Sequence, residues 1–218
     1  GESASLVIGQ SGFTTKTAPN PPTAASEWAP EGITFDSSGN LWVADAANQR
    51  VLEYATPFTS GESASLVIGQ SGFTTNTAPN PPTAASEYLP QGITFDSSGN
   101  LWIADGGSNR ILEYIKGSGF TNEESASLVI GQSGFATNAT AISQSGLNIQ
   151  SIAFNGPTFD SSGNLWMADE LNNRVLEYVS ISLAIGGHNV SIYHPPSLGN
   201  DYYYKYGSGF TLNGKSFD

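Results

Sequence analysis

The chain has 218 residues, of which 19 are acidic, 7 are basic and none is cysteine, and its formal net charge is −12. This charge repels phosphate backbones and anionic lipid headgroups, so we expect no nucleic-acid partner and no docking on anionic membranes. The lack of cysteine excludes disulfides and thiolate metal sites, and no apolar run approaches the roughly 20 residues that cross a membrane.

The chain is built from internal repeats. Gly1–Asp45 and Gly61–Asp105 are identical at 40 of 45 positions, in a register of 60 residues, and a third copy begins at Glu124. A fixed period of this length indicates a repeat architecture. We divide the chain into units at 1–60, 61–121 and 122–180, followed by a partial and diverged fourth unit at 181–218. In that last unit, SLAIG from Ser182 echoes the SLVIG of the earlier copies.

Within a unit, the local pattern predicts short strands. The connection Asp36–Asn40, DSSGN, is typical of a hairpin turn, because the aspartate side chain bonds to the following backbone and Gly39 can take positive φ. A second connection, Ala46–Gln49, joins the next two strands. Short strands repeated at a fixed period predict an all-β stack of small antiparallel sheets. The strands predicted for the first unit are Ser5–Gly9, Ile33–Asp36, Leu41–Asp45 and Arg50–Tyr54.

The second half of each unit resembles the NHL repeat. The motif P-x-G-I-T-F-D-S-S-G-N-L-W-[VI]-A-D-x-x-x-x-R-[VI]-L-E-Y stands at Pro30–Tyr54 and Pro90–Tyr114, and Gly156–Tyr178 is a variant of it. The resemblance implies a β-propeller-like array of four-stranded antiparallel blades, with three full repeats plus a partial fourth. The SLVIG segment would supply the fourth strand. The chain resembles prokaryotic extracellular NHL-repeat proteins.

Each of the three arginines of the chain follows an aspartate by five residues. One interpretation is an arginine ring that binds an anion at the propeller axis. The interpretation we favour is a repeated structural ion pair that fixes each blade, because catalytic sites on repeat folds break the symmetry and these residues keep it. The pairs are Asp45 with Arg50, Asp105 with Arg110, and Asp169 with Arg174.

Two further repeated positions have a structural and a ligand-binding interpretation. The DSSGN aspartates Asp36, Asp96 and Asp160 carry oxygen ligands suited to calcium, but each loop offers one carboxylate, which favours plain hairpin turns. The tryptophans occupy one strand position in every unit, which predicts packing between blades rather than a ligand platform. They are Trp42, Trp102 and Trp166.

No catalytic, metal or cofactor site is predicted. His188 and His194 are the only histidines. Peptide-amidating lyases that resemble NHL propellers hold zinc with several histidines, together with Arg and Tyr, and two histidines in one segment do not match that pattern. Zinc sites need three or four ligands. We therefore expect no bound metal, no cofactor and no enzymatic activity.

The remaining motifs suggest surface contacts. Asn138 and Asn189 begin glycosylation sequons, and the Thr/Pro-rich insert Thr14–Ser26 is of a kind that carries O-linked sugar, although a plain extended loop also explains it. The non-repetitive aromatic residues near the end of the chain suggest an assembly contact. These residues are Tyr202, Tyr203, Tyr204, Tyr206 and Phe217.

These observations predict a non-enzymatic structural or binding protein, extracellular or on the surface of a prokaryotic cell. We expect its partner to be itself or a cell-surface polymer. Unclosed ends of a repeat array favour head-to-tail growth into a filament or surface array, with Gly1–Gln10 and Leu212–Asp218 at the contact. The alternative is a propeller enzyme, a lyase or hydrolase, with a ligand site at the axial end of the blades. A nucleic-acid-binding NHL module is excluded, since seven basic residues cannot form the basic face it needs.

Overall fold

The structure, a computed structural model, describes residues 1–149, 156–185, 188–194, 210–212 and 215–217, with side chains up to Val179. This part of the chain is nearly all β, and it contains no helix that is long and apolar enough to cross a membrane. The strands are β1 (Pro30–Phe35), β2 (Leu41–Asp45), β3 (Arg50–Tyr54), β4 (Leu66–Ile68), β5 (Pro90–Phe95), β6 (Leu101–Asp105), β7 (Arg110–Tyr114), β8 (Leu128–Ile130), β9 (Thr158–Phe159), β10 (Leu165–Asp169), β11 (Arg174–Ile185), β12 (His188–His194), β13 (Phe210–Leu212) and β14 (Lys215–Phe217).

Within the described ranges, the strands form three four-stranded antiparallel sheets and one two-stranded sheet. Their orders are β1-β2-β3-β4, β5-β6-β7-β8, β9-β10-β11-β12 and β13-β14. The first strand of each large sheet is the inner one, since β1 lies against β5 of the next sheet. The predicted fold class, a β-propeller-like array of four-stranded antiparallel blades, is confirmed.

Each large sheet has two distinct ends. At the upper end, the chain enters the inner strand and a 3₁₀ turn joins the second strand to the third; these turns are Ala46–Asn48, Gly106–Ser108 and Glu170–Asn172. At the lower end, the DSSGN hairpin joins the first strand to the second. The upper end includes residues 28–31 and 46–49 of the first sheet, 88–91 and 106–109 of the second, and 170–173 of the third.

Alternation along the strands gives each sheet two apolar faces. We call the face that carries Trp42, Ala44 and Val51 the forward face, and the face that carries Leu52 and Tyr54 the backward face. The forward face of the first sheet packs against the backward face of the second, and these side chains are fully buried. The second sheet packs on the third in the same way, so the core is a series of equivalent layers.

The inner strands approach each other closely at glycines. A Cβ on Gly32 would lie 2.5 Å from the carbonyl oxygen of Gln91, and one on Gly156 would lie 2.9 Å from Cα of Gly92. Side chains at these positions would push neighbouring inner strands apart.

Two segments differ from their predicted structure. Ser5–Gly9 is not a strand, since no described residue pairs with it, whereas its copies at Leu66–Ile68 and Leu128–Ile130 pair with the third strand of their sheets. The predicted outer strand at Ser182 is instead the second half of β11, which forms a hairpin with β12. Here the third unit runs on through Val179-Ser-Ile-Ser, where Pro57 or Gly117 interrupts the earlier units.

Candidate functional site at the upper end

The three Asp–Arg pairs are ion pairs at the upper end of each sheet. The Nε–Oδ2 distances are 2.8 Å for Arg50–Asp45, 2.7 Å for Arg110–Asp105 and 2.6 Å for Arg174–Asp169. The first two pairs are completely buried, and their partners are cross-strand neighbours in the register of the sheet. No anion could reach a guanidinium in this position without unpacking the sheets.

Backbone carbonyls accept hydrogen bonds from the Nη1 and Nη2 groups of each buried guanidinium. Arg50 donates from Nη1 to Phe73 O at 2.6 Å and from Nη2 to Ser26 O at 2.7 Å and Thr23 O at 3.0 Å. Arg110 makes the equivalent bonds to the residues one unit later. The arginine therefore binds both the insert that precedes its own sheet and the segment that follows it.

A glutamate and a tyrosine lie behind each of the first two ion pairs. Tyr54 donates to Glu27 at 3.1 Å and Tyr114 donates to Glu87 at 2.7 Å, and all four residues are buried. Burial, with a smaller contribution from the charge of Asp45, raises the pKa of Glu27 from 4.5 to about 7. The pKa of Glu87 is raised well above its usual value by the same two effects, with burial the larger.

The third unit departs from this arrangement. Leu147 occupies the position of Glu27 and Glu87, since the next residue in each unit donates its backbone N–H to the aspartate of the ion pair at 2.7 Å. Tyr178 is buried, and its hydroxyl has no hydrogen-bond partner among the described residues. The symmetry of the repeats is therefore broken here by a single side chain.

The hairpin aspartates serve the lower turns. Oδ1 of Asp36 accepts the backbone N–H groups of Ser38 and Asn40, and Oδ2 accepts the side chains of Asn40 and Trp42. In the third unit, the hydrogen bond from the indole of Trp166, with others from the turn, lowers the pKa of Asp160 to about 2. All the carboxylate oxygens are engaged within the protein, so the calcium interpretation gains no support. Within the described ranges, no cluster of three His, Asp or Glu side chains suits a metal ion.

The other predicted residues are scattered. Trp42 and Trp102 are fully buried between sheets, where each meets a phenylalanine of the next sheet edge-on at 5.6 Å, and Trp166 is half-buried. Asn138 is exposed, and Asn189 lies in β12. His188 and His194 are the two ends of β12, and Phe217 ends β14. The predicted tyrosine contact, Tyr202, Tyr203, Tyr204 and Tyr206, lies outside the described residues.

The first two units differ mainly at the upper end. Three of the five differences in their first 45 residues are at positions 28, 29 and 31, and all four residues of the connection 46–49 differ from 106–109. The two variable segments touch, because Ala47 donates its backbone N–H to Trp28 O at 3.0 Å. The lower hairpin DSSGN is identical in all three units. Other variation lies in the loops after Tyr54 and Tyr114, which differ in length.

The backbone is also irregular where the units differ. Pro30 pairs with Asp45 and Ile33 with Val43, so Glu31 and Gly32 form a β-bulge. The preceding residue, Ala29, has φ 53°, in the left-handed region that disfavours a residue with a Cβ. Its counterpart Leu89 has φ 52°. Bulges and left-handed residues both cluster near functional sites.

Glu31 carries a carboxyl group where its counterpart in the second unit carries an amide. Its carboxyl is half-buried, burial raises its pKa, and Oε2 has no hydrogen-bond partner among the described residues. The equivalent residue of the second unit is Gln91, which carries no charge. The sequence pattern did not single out Glu31, because the repeat was defined by the positions at which the units match. The sequence signal for Glu31 is the difference between the units at this position.

Comparisons with known proteins agree on the repeat. The family model of the NHL repeat matches residues 28–54 and 88–114. No curated protein matches the chain.

Among solved structures, a streptogramin B lyase is similar at 13% identity and a TM-score of 0.40, over 82% of this chain and 43% of the lyase. A virginiamycin B lyase from Staphylococcus aureus is similar at 16% identity and a TM-score of 0.41, over 83% of this chain and 44% of that one. An inactive H270A form of the latter enzyme, with quinupristin, gives 17% identity, a TM-score of 0.35, and coverage of 84% and 59%.

The chain thus spans between 43 and 59% of the length of these lyases. Because they are enzymes, the comparison contradicts the expectation that the chain is not an enzyme, and we withdraw that expectation. Residues 28–54 and 88–114 of the chain match the NHL repeat.

Proposed function

We propose that the chain is part of a β-propeller enzyme, a lyase or hydrolase, whose ligand site lies at the upper end of the sheets around Glu31. The observation that carries the proposal is the concentration of unit-to-unit differences at positions 28–31 and 46–49, in two units that are otherwise almost identical. A fixed scaffold with variable connections at one end is the usual arrangement for sites on repeated β folds.

The first unit supplies groups of the kind a ligand site uses. Trp28 is large and nearly half exposed beside the entry to β1. Glu31 projects from the bulge of the same strand. Burial raises the pKa of the Glu31 carboxyl, which makes it a stronger proton acceptor and suits it to proton transfer as acid or as base. We assign that role to Glu31 and an aromatic contact with the ligand to Trp28.

A turnover assay with quinupristin, the compound named in one of the lyase structures, tests the proposal. The chain is incubated with quinupristin and the products are separated by chromatography and identified by mass spectrometry. We expect a product from the unmodified chain and at least a tenfold slower reaction from Glu31→Gln. Glu2→Gln removes one exposed carboxylate elsewhere and serves as the control for charge.

The outcomes separate clearly. Loss of turnover in Glu31→Gln with normal turnover in Glu2→Gln supports the proposal. No product from the folded, unmodified chain, or equal rates for both variants, contradicts it.

A second candidate function is that of an assembling scaffold. The observation that favours it is the exposure of apolar side chains on the outer faces of the first and third sheets, where Ile33 and Val175 are each 65% exposed. The test is the particle mass of the purified chain, which exceeds 22.8 kDa only if copies associate.

A further inference from the structure

An exposed aromatic residue stands at the same place of the upper end in two consecutive units. Trp28 is 47% exposed and Tyr88 is 37% exposed. Tyr88 belongs to the second sheet, and the described residues of the sheets on both sides leave it exposed. Exposed apolar groups that are grouped on one surface, rather than scattered singly, indicate a contact with a ligand or partner.

The backbone of both aromatic residues is fixed by the same two hydrogen bonds. The N–H of Trp28 donates to Oδ1 of Asp45 at 2.7 Å, and its carbonyl accepts the N–H of Ala47 at 3.0 Å. Tyr88 makes the two equivalent bonds in the second unit, each at 2.7 Å. An aromatic side chain on a fixed backbone loses little conformational freedom when a ligand binds, which favours affinity.

Gln49 connects the two aromatic positions. Its Nε2 donates to Ala47 O at 3.1 Å, and Ala47 in turn bonds to Trp28. Its Oε1 accepts the N–H of Leu89, the neighbour of Tyr88, at 2.7 Å. A continuous chain of hydrogen bonds therefore runs from the first aromatic residue to the second, across the junction between the two sheets. The fold itself sets their spacing.

The second unit makes room for the ring of Tyr88 with a glycine. A Cβ on Gly107 would lie 2.6 Å from Cγ of Tyr88, so the ring lies directly against the backbone of the upper connection. Ala47 occupies this position in the first unit. The protein thus supports the Tyr88 ring from one side, and the rest of the ring is left to solvent as an apolar surface with a polar tip.

The groups around the two rings suit an uncharged ligand with hydroxyl groups. The indole N–H of Trp28 and the hydroxyl of Tyr88 make no hydrogen bond with a described residue, and neither does Oε2 of Glu31. These groups can donate to hydroxyl groups and accept from them. Arg50 and Arg110 are buried and paired, so they offer no charge to an anion, and an ionised Glu31 would repel one.

We propose that Trp28 and Tyr88 form a two-ring platform, which binds a neutral β-linked oligosaccharide across the first and second units. A sugar ring with equatorial substituents has an apolar C–H face that packs on an aromatic ring, and its hydroxyl groups form hydrogen bonds at the rim. An oligosaccharide repeats this chemistry from ring to ring, as the protein repeats its aromatic residue from unit to unit. In the third unit the position is Asn148, so the platform comprises two rings.

The inference takes its location from the proposed function and names a ligand class for that end of the sheets, but the two can fail separately. Binding of the oligosaccharide requires both aromatic rings and no chemistry at Glu31. Turnover of quinupristin without oligosaccharide binding would overturn only the platform. Oligosaccharide binding without turnover of quinupristin would overturn only the proposed function.

Isothermal titration calorimetry with glucose and cellohexaose tests the platform. We expect cellohexaose to bind the unmodified chain at least about tenfold more tightly than glucose, because a single sugar ring can contact only one aromatic residue. Tyr88→Ala and Trp28→Ala should each lower the affinity for cellohexaose about tenfold or more. The matched control is Phe35→Ala, which removes an exposed aromatic residue at the lower end and should leave the affinity unchanged.

Circular dichroism shows that each variant is folded before its affinity is compared. A hyaluronan hexasaccharide, which is β-linked but carries carboxylates, should bind more weakly than cellohexaose, since the chain has a net charge of −12. Three results would overturn the inference. They are no binding of cellohexaose, an equal loss of affinity in Phe35→Ala and Tyr88→Ala, and binding of quinupristin through Trp28 and Tyr88 in the absence of any binding of cellohexaose.

Discussion

The hydroxyl of Tyr114 donates a 2.7 Å hydrogen bond to the carboxyl of Glu87, in a site that water does not reach. The Asp105–Arg110 ion pair lies close enough for the charge of Asp105 to raise the pKa of Glu87. The same four residue types meet in the first unit, at Glu27, Asp45, Arg50 and Tyr54. Each site therefore contains two carboxyl groups and one guanidinium group. Whether the glutamate of the site is protonated affects the stability of the fold.

We predict that stability falls as the pH rises from about 5 to 8. The folded-state pKa of Glu27 is about 7, above its ordinary 4.5, so the folded chain binds more protons than the unfolded chain between these values. Stability is then highest below pH 4.5 for this group and is lost as the pH rises through 7. The shift corresponds to about 3 kcal/mol for Glu27, and Glu87 acts in the same direction.

Urea denaturation at pH 5 and pH 8 measures the effect. Glu27→Gln, which cannot ionise, should reduce the difference between the two free energies of unfolding by about 2–3 kcal/mol. Glu2→Gln, an exposed change, should leave the difference as it is in the unmodified chain. A chain more stable at pH 8 than at pH 5 would contradict the raised pKa.

Two tyrosines at the same repeat position should respond differently to loss of the hydroxyl. Tyr114→Phe leaves Glu87 without its hydrogen-bond donor and should cost about 1–3 kcal/mol. Tyr178→Phe removes a buried hydroxyl that has no partner among the described residues, so it should change stability by less than about 0.5 kcal/mol or raise it. The measurement is thermal or urea unfolding of both variants, and equal losses would disprove the distinction.

We predict that lysine cannot replace the buried arginines without a loss of stability. Lysine cannot reproduce the planar fork that lets Arg110 bind Asp105 and three backbone carbonyls at once, so Arg110→Lys should cost about 3–5 kcal/mol. Arg174 has a side chain that is 27% exposed. Arg174→Lys should therefore cost clearly less, and urea unfolding compares the two. If both variants were as stable as the parent chain, the structural role of the pairs would be wrong.

The close approach of the inner strands predicts the effect of one methyl group. Gly32→Ala places a Cβ 2.5 Å from Gln91 O, and the backbone of the second sheet must move to admit it. We expect a loss of about 1–3 kcal/mol in the free energy of unfolding. Gly12→Ala is the matched control, because a Cβ there meets no atom within 4 Å. A similar change in both variants would show that the inner strands can separate easily.

Local patterns were sufficient to predict β2 and β3, whose observed bounds are those expected from alternation and flanking turns. β1 begins three residues earlier than Ile33, because the bulge at Glu31 restores pairing at Pro30, and a bulge has no simple pattern in sequence. Pairing partners were not predictable locally either. Ser5–Gly9 has the same sequence as the segment that contains β4. A strand also requires a neighbouring strand, and none of the described residues supplies one.

The ligand-site hypothesis required the contacts of the folded chain as well as its sequence. The differences at 28–31 and at 46–49 are 15 to 21 residues apart in sequence, and the hydrogen bond between Ala47 and Trp28 shows that they form one surface. Likewise, Glu27 and Glu87 carry no motif of their own. Their importance became clear from burial beside an ion pair, which depends on the packing of three separate segments.

The half-buried position of Trp166 has an optical consequence. Trp42 and Trp102 are fully buried, so iodide should not reach their indoles. Trp166 is half-buried and Trp28 is nearly half exposed, so these two residues should account for the emission that iodide quenches. In Trp28→Phe, the remaining quenchable fluorescence would therefore report on the third sheet alone.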